Sequence, residues 1–115
     1  MTRKLEKITL HYLFAVLWTN EMDEFDAIED IDNDSKATAT IIVQRFLKKA
    51  LPYLTEEWTD EQIGHDLWLT RGGHGAGFWD RDLPNGDKLT EICNSMEFHG
   101  EVFEADGVVY ISENL

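Results

Sequence analysis

The sequence predicts an α+β fold: about four helices and a small C-terminal β-hairpin in a single domain, residues 1–115. Three observations predict it. Apolar residues recur at three- and four-residue steps in separate stretches, as they do on the buried face of a helix. Glycine and proline punctuate the chain between those stretches. Short strand-like runs flank Asp106-Gly107 near the end, the signature of a tight hairpin. The hydrophobic fraction, 43%, is enough for a packed core.

The first helix is expected from Leu5 to Trp18. Leu5, Ile8, Tyr12 and Val16 form one series and Leu10, Leu13, Phe14 and Leu17 another, so the apolar face is broad and the helix should be well buried. Arg3, Lys4 and Lys7 ahead of an apolar run superficially resemble a signal peptide. Glu6 and His11 interrupt the run, and bulky Trp18 stands where a small cleavage-site residue is wanted, so a core helix of a cytoplasmic protein is expected.

Asn20 to Asp34 carries eight acidic residues and no Lys or Arg, with Met22, Phe25, Ile28 and Ile31 at three-residue spacing. It reads either as helical turns pinned by those anchors or as an acidic loop extended by self-repulsion. The second helix is expected from about Ser35 to Leu51, with Asp34 or Ser35 as N-cap, Lys48 and Lys49 near its C-terminus, and a buried stripe of Ile42, Val43, Phe46, Leu47 and Ala50. Pro52 ends it. Thr59-Asp60-Glu61-Gln62 fits the capping box of a third helix, which stops at Gly72-Gly73. The glycine-rich loop Gly72–Asp82 and the turn Pro84-Asn85-Gly86 follow. A fourth helix is expected from about Asp87 to Glu97, with Leu89, Ile92, Cys93 and Met96 inward, and then the hairpin Val102–Glu104 and Val108–Ile111.

The charge balance narrows the function classes. Twenty-three acidic side chains against ten basic ones give a net charge of −13. Phosphate backbones and anionic membranes are disfavoured as direct partners, because both need Lys and Arg. A basic or nucleic-acid-binding protein is favoured, since complementary fields speed encounter. The bland alternative is that the charge only keeps the chain soluble. The lone Cys93 excludes an internal disulfide and a cysteine zinc site, and reads as a small core residue. No cofactor and no metal site are expected: His65, Asp66, His74, Asp80 and His99 show none of the tight pairings that metals require.

The most distinctive stretch is His65-Asp66-Leu67-Trp68-Leu69-Thr70-Arg71 with the loop after it. A catalytic reading would use His74 as base, Asp80 to orient it, and Arg71 or Arg81 to clamp an anion, with loop N–H groups helping. Neither the dinucleotide fingerprint nor the Walker lysine is present. The structural alternative has the glycines turning the chain, Phe78 and Trp79 plugging the core, and Asp80–Arg81 or Asp66–Arg71 as local ion pairs. Two readings of the acidic segment likewise stay open. Glu21, Asp23, Glu24, Asp26, Glu29, Asp30, Asp32 and Asp34 imitate phosphates toward a nucleic-acid-binding protein, or they are a solvated loop. Glu56, Glu57, Asp60 and Glu61 form a second acidic patch.

Gly64-His65-Asp66-Leu67-Trp68-Leu69-Thr70-Arg71, then Gly73-His74-Gly75-Ala76-Gly77-Phe78-Trp79-Asp80-Arg81, resembles the motif of a family of small uncharacterised proteins common in bacteriophages and mobile elements. The likeness extends more weakly through Leu17-Trp18, Gly86-Asp87-Lys88-Leu89 and Asp106-Gly107. Relatives resemble Arg-Asn-Gly where this chain has Arg71-Gly72-Gly73, and Asn also suits a helix C-cap. The resemblance implies no particular activity. It does imply a phage-type accessory protein in the host cytoplasm, binding and inhibiting or modulating a host protein such as a defence system. The expected state is monomer or homodimer, the dimer forming through the first helix. The alternative is a small enzyme or anion-binding domain built on the glycine loop.

Overall fold

The computed structural model describes residues 3–22 and 28–113. The fold is α+β: α1 (Leu5–Thr19), α2 (Asn33–Ala50), α3 (Asp60–Arg71) and α4 (Gly86–Asn94) precede the antiparallel strands β1 (Gly100–Ala105) and β2 (Val108–Glu113). Single 3-10 turns occur at Ile28–Asp30, Leu51–Tyr53 and Phe78–Asp80. None of the described helices is long and apolar enough to cross a membrane.

Two helices start where side-chain oxygens catch free N–H groups. Thr59 accepts from the N–H of Gln62 at 3.1 Å. The Gln62 side chain does not return to close the capping box. It reaches forward to Asp66 instead, at 2.8 Å. In α2 the cap is Asp32, which accepts from Ser35 N–H at 3.1 Å. It stands before both expected candidates, because α2 already begins at Asn33 and places Asp34 and Ser35 within its first turn; Ser35 is buried and used elsewhere. The Ser35 Oγ accepts from Ile111 N–H at 2.9 Å and so anchors β2 to α2. Asp32 N–H donates to Val109 O at 2.8 Å, and Ile31 bridges to Val109. The end of the acidic segment is thereby tied to the hairpin. Asp106 and Gly107 both adopt positive φ between the strands, as a two-residue I′ turn requires.

α1 packs along α3 so closely that a Cβ added at Gly64 would lie 2.2 Å from the Ile8 carbonyl oxygen. Only glycine permits this approach. Further along, Phe46 stacks on Phe78 at 5.4 Å, and Trp58 meets Phe78 edge-on at 5.3 Å while donating to Pro84 O at 2.7 Å. All three rings are fully buried. Each such side chain contributes about 1.5–3 kcal/mol by leaving water.

Two expectations of burial fail. Phe14, expected on the apolar face of α1, is exposed, so that face is only partly covered; Trp18, one turn further on, is exposed too. Trp79 is 43% exposed, so Phe78 alone plugs the core from the glycine loop. α4 is also shorter than expected, ending at Asn94.

Candidate functional site

The distinctive motif runs through α3 and the loop after it, and most of its polar groups prove to hold the fold. Asp66 is 0% exposed. Arg81 donates from Nε to both its oxygens at 3.1 Å and from Nη2 to Oδ1 at 2.7 Å, while Gln62 donates to Oδ2. This fork-on-carboxylate geometry staples the segment after the Phe78–Asp80 turn onto α3. The hydrogen bond to Asp66 is the main reason the Arg81 guanidinium holds its proton more tightly than usual.

Arg71 is 3% exposed. It donates from Nε to Met96 O at 2.6 Å, from Nη1 to the Tyr12 hydroxyl at 2.7 Å, and from Nη2 to the Glu113 carboxylate. One side chain thus joins α1, α3, the α4–β1 connection and β2. Burial works against its charge, but Tyr12 and Glu113 outweigh that and raise its pKa. Burial likewise pushes the Tyr12 phenol far up.

These partners correct the expected local ion pairs. Asp66 pairs with Arg81 and Arg71 with Glu113. Residues five apart on a helix point roughly 140° apart around its axis, so Asp66 and Arg71 cannot meet. Both arginines of the expected anion clamp already carry a carboxylate.

The other catalytic candidates do not assemble. His74 is exposed, with its ring 5.5 Å from that of Trp68, and it makes no hydrogen bond or ion pair with Asp80 among the described residues. Several loop amides are engaged as well. His74 N–H reaches Leu69 O at 3.1 Å and Gly73 N–H reaches Thr70 O at 3.3 Å, closing α3 with Gly73 at φ 68°. Phe78 N–H donates to Thr70 Oγ1 at 3.3 Å and Asp80 N–H to Gly77 O at 3.2 Å. A helix C-terminus is also the negative end of the dipole, a poor place for an anion. Among the described residues no three His, Cys, Asp or Glu side chains converge as a metal cluster would.

The acidic candidates fall into three sets. Glu21, Glu29 and Asp34 are exposed and Asp30 is half-buried. Asp32 is turned to the backbone as the α2 cap. Asp23, Glu24 and Asp26 lie outside the described residues. Of the second patch, Glu56 and Glu57 are exposed, Asp60 pairs with Arg3, and Glu61 pairs with Lys7.

The two candidate regions meet at one place. A hollow of about 480 Å³ is lined by Trp18, Thr19, Glu21, Leu69, His74 and Ala76. Its wall is Trp18, 61% exposed, with the His65 ring 5.6 Å away. Partial burial pushes the His65 pKa down, which favours the neutral ring. Trp68 beneath is held by its Nε1 hydrogen bond to Thr19 Oγ1 at 2.7 Å. Phe14 continues the exposed aromatic face, with His11 edge-on at 5.5 Å.

Trp18 is the exposed anchor that sequence reasoning missed. The signal was present: from Tyr12 to Phe14, and from Val16 to Trp18, a helix turns about 200°, away from the buried stripe. Comparison of the chain with protein-family models, curated proteins and solved structures finds no match.

Proposed function

We propose that this protein acts by stoichiometric binding to a basic, nucleic-acid-binding host protein, which it inhibits or modulates, and that the face around Trp18 makes the contact. One observation carries the reading: exposed Trp18, the Glu21 carboxylate at the head of the acidic segment, and His74 and Ala76 of the glycine loop all line the same hollow. An exposed tryptophan beside a concavity is the kind of anchor that dominates protein interfaces. An arginine or lysine of the partner would stack on its ring and pair with Glu21. The net charge of −13 steers such a partner inward. Glu29, Asp30 and Asp34 would then stand in for backbone phosphates along the partner's nucleic-acid cleft. The motif's resemblance to phage and mobile-element proteins supports a target in the host cell.

Affinity capture from bacterial lysate, with the tagged protein beside its Trp18→Ala and Glu21→Lys variants, tests this. The expected result is a stoichiometric nucleic-acid-binding protein, retained at low salt, released at high salt and lost from both variants. Capture that ignores salt, or that survives Trp18→Ala, overturns the reading. So does a dimer in gel filtration that Trp18→Ala converts to monomer, because the face then serves self-association.

A further inference from the structure

On another part of the molecule lies a second cavity, of about 350 Å³, between the last two turns of α2 and the α4–β1 connection. It inverts the charge balance of the chain. Its lining includes four cations, Arg45, Lys48, Lys49 and Arg71, against two carboxylates, Glu97 and Glu113. Overall the protein has ten cations to twenty-three acids. The nearly buried Arg71–Glu113 pair neutralises its own part of the lining. Arg45, Lys48 and Lys49 are exposed, and among the described residues none of them is within ion-pair distance of a carboxylate. Buried Ile42 and half-buried Met96 supply apolar wall.

The α2 dipole explains Lys48 and Lys49, which sit where cations suit a helix C-terminus. It does not explain the hollow, or Arg45 farther from the helix end. Three flexible cations around an apolar-walled cavity of this size match a small molecule with a multivalent anionic head. Lysines bind phosphate as point charges, without the planar pairing that a carboxylate takes from arginine. A small ligand also fits the surrounding field. Repulsion from the acidic surface fades within about 8–10 Å at physiological salt, whereas a nucleic-acid polymer would extend across that surface.

We propose that this cavity binds a phosphorylated small molecule, with the phosphates on Arg45, Lys48 and Lys49 and the body against Ile42 and Met96. Titration calorimetry of the full chain with ADP, inorganic pyrophosphate, adenosine, citrate and a duplex oligonucleotide tests it. ADP is expected to bind with a dissociation constant of about 1 mM or tighter, adenosine at least about tenfold more weakly, and ADP more weakly as salt rises. Arg45→Ala, Lys48→Ala and Lys49→Ala should each weaken ADP roughly three- to tenfold, with circular dichroism unchanged, since all three side chains are on the surface. Stronger binding of ADP than of pyrophosphate places the body in the apolar part, and the reverse order denies it that role. Absence of heat with both phosphates overturns the proposal, as does ADP binding that survives the triple substitution. Citrate binding as tightly as ADP overturns the phosphate assignment, and tighter binding of the duplex overturns the small-molecule assignment.

Discussion

Around α3 and the glycine loop, Arg71 and Arg81 are each locked on a carboxylate, and those carboxylates, Glu113 and Asp66, are almost entirely buried. Along the end of α2, Arg45, Lys48 and Lys49 face a cavity, and among the described residues none of the three is within ion-pair distance of a carboxylate, although Glu97 also lines it. The difference separates two uses of positive charge. In the first region the cations satisfy buried acids and join elements distant in sequence, so they serve folding. In the second they remain exposed and outside any ion pair among the described residues, which is the ground of the ligand site proposed above. The most recognisable stretch of the sequence is thus largely architectural, and the available chemistry lies beside it.

The largest expected effect comes from breaking a locked pair at the charge that cannot reach water. Arg81→Met leaves Asp66 buried with only Gln62, and should cost about 3–5 kcal/mol of stability in urea denaturation. Asp66→Asn should cost clearly less, because Arg81 is about a third exposed and can be solvated when orphaned. Equal costs would mean that the pair is not the staple described. Much smaller is the expected change from Lys48→Ala or Lys49→Ala: within about 0.5 kcal/mol in the same measurement. A loss approaching that of Arg81→Met would erase the distinction between the two regions.

The smallest effect is a pH dependence. Burial lowers the His65 pKa in the folded chain below its ordinary value near 6.5. Protons therefore bind the unfolded chain more readily. The His65 contribution is fully present above the unfolded value and is lost as pH falls toward and through the folded one. Denaturation midpoints of wild type should drop more between pH 7 and pH 5 than those of His65→Gln. Parallel slopes would show that the ring is solvated, and that Trp18 and His65 do not form one packed face.

Helix periodicity made four helices legible, and Asp106-Gly107 made the hairpin legible, because both signals are local. The stop of α3 at Gly72-Gly73 was legible for the same reason: its hydrogen bonds span only a few residues. The α2 cap was not. Asp32, Asp34 and Ser35 are all suitable cap residues, and the start of α2 at Asn33 goes with contacts far along the chain, Asp32 N–H to Val109 O and Ile111 N–H to Ser35 Oγ. Trp18 could have been placed by angle on the helix, but its role depended on Leu69, His74 and Ala76 closing the hollow beside it.

Taken by itself, the sequence determined the α+β class, the order of elements, the acidic field and the residues of the motif. These follow from spacing and composition, which act over one or two turns of chain or over the whole molecule at long range. Only the tertiary structure decided which carboxylate each arginine holds, which cations stay unpaired, and that the acidic segment and the glycine loop meet at Trp18. Those outcomes depend on side chains brought within about 3–4 Å across tens of residues, a distance at which hydrogen bonds and desolvation operate. No periodicity along the chain encodes such a meeting.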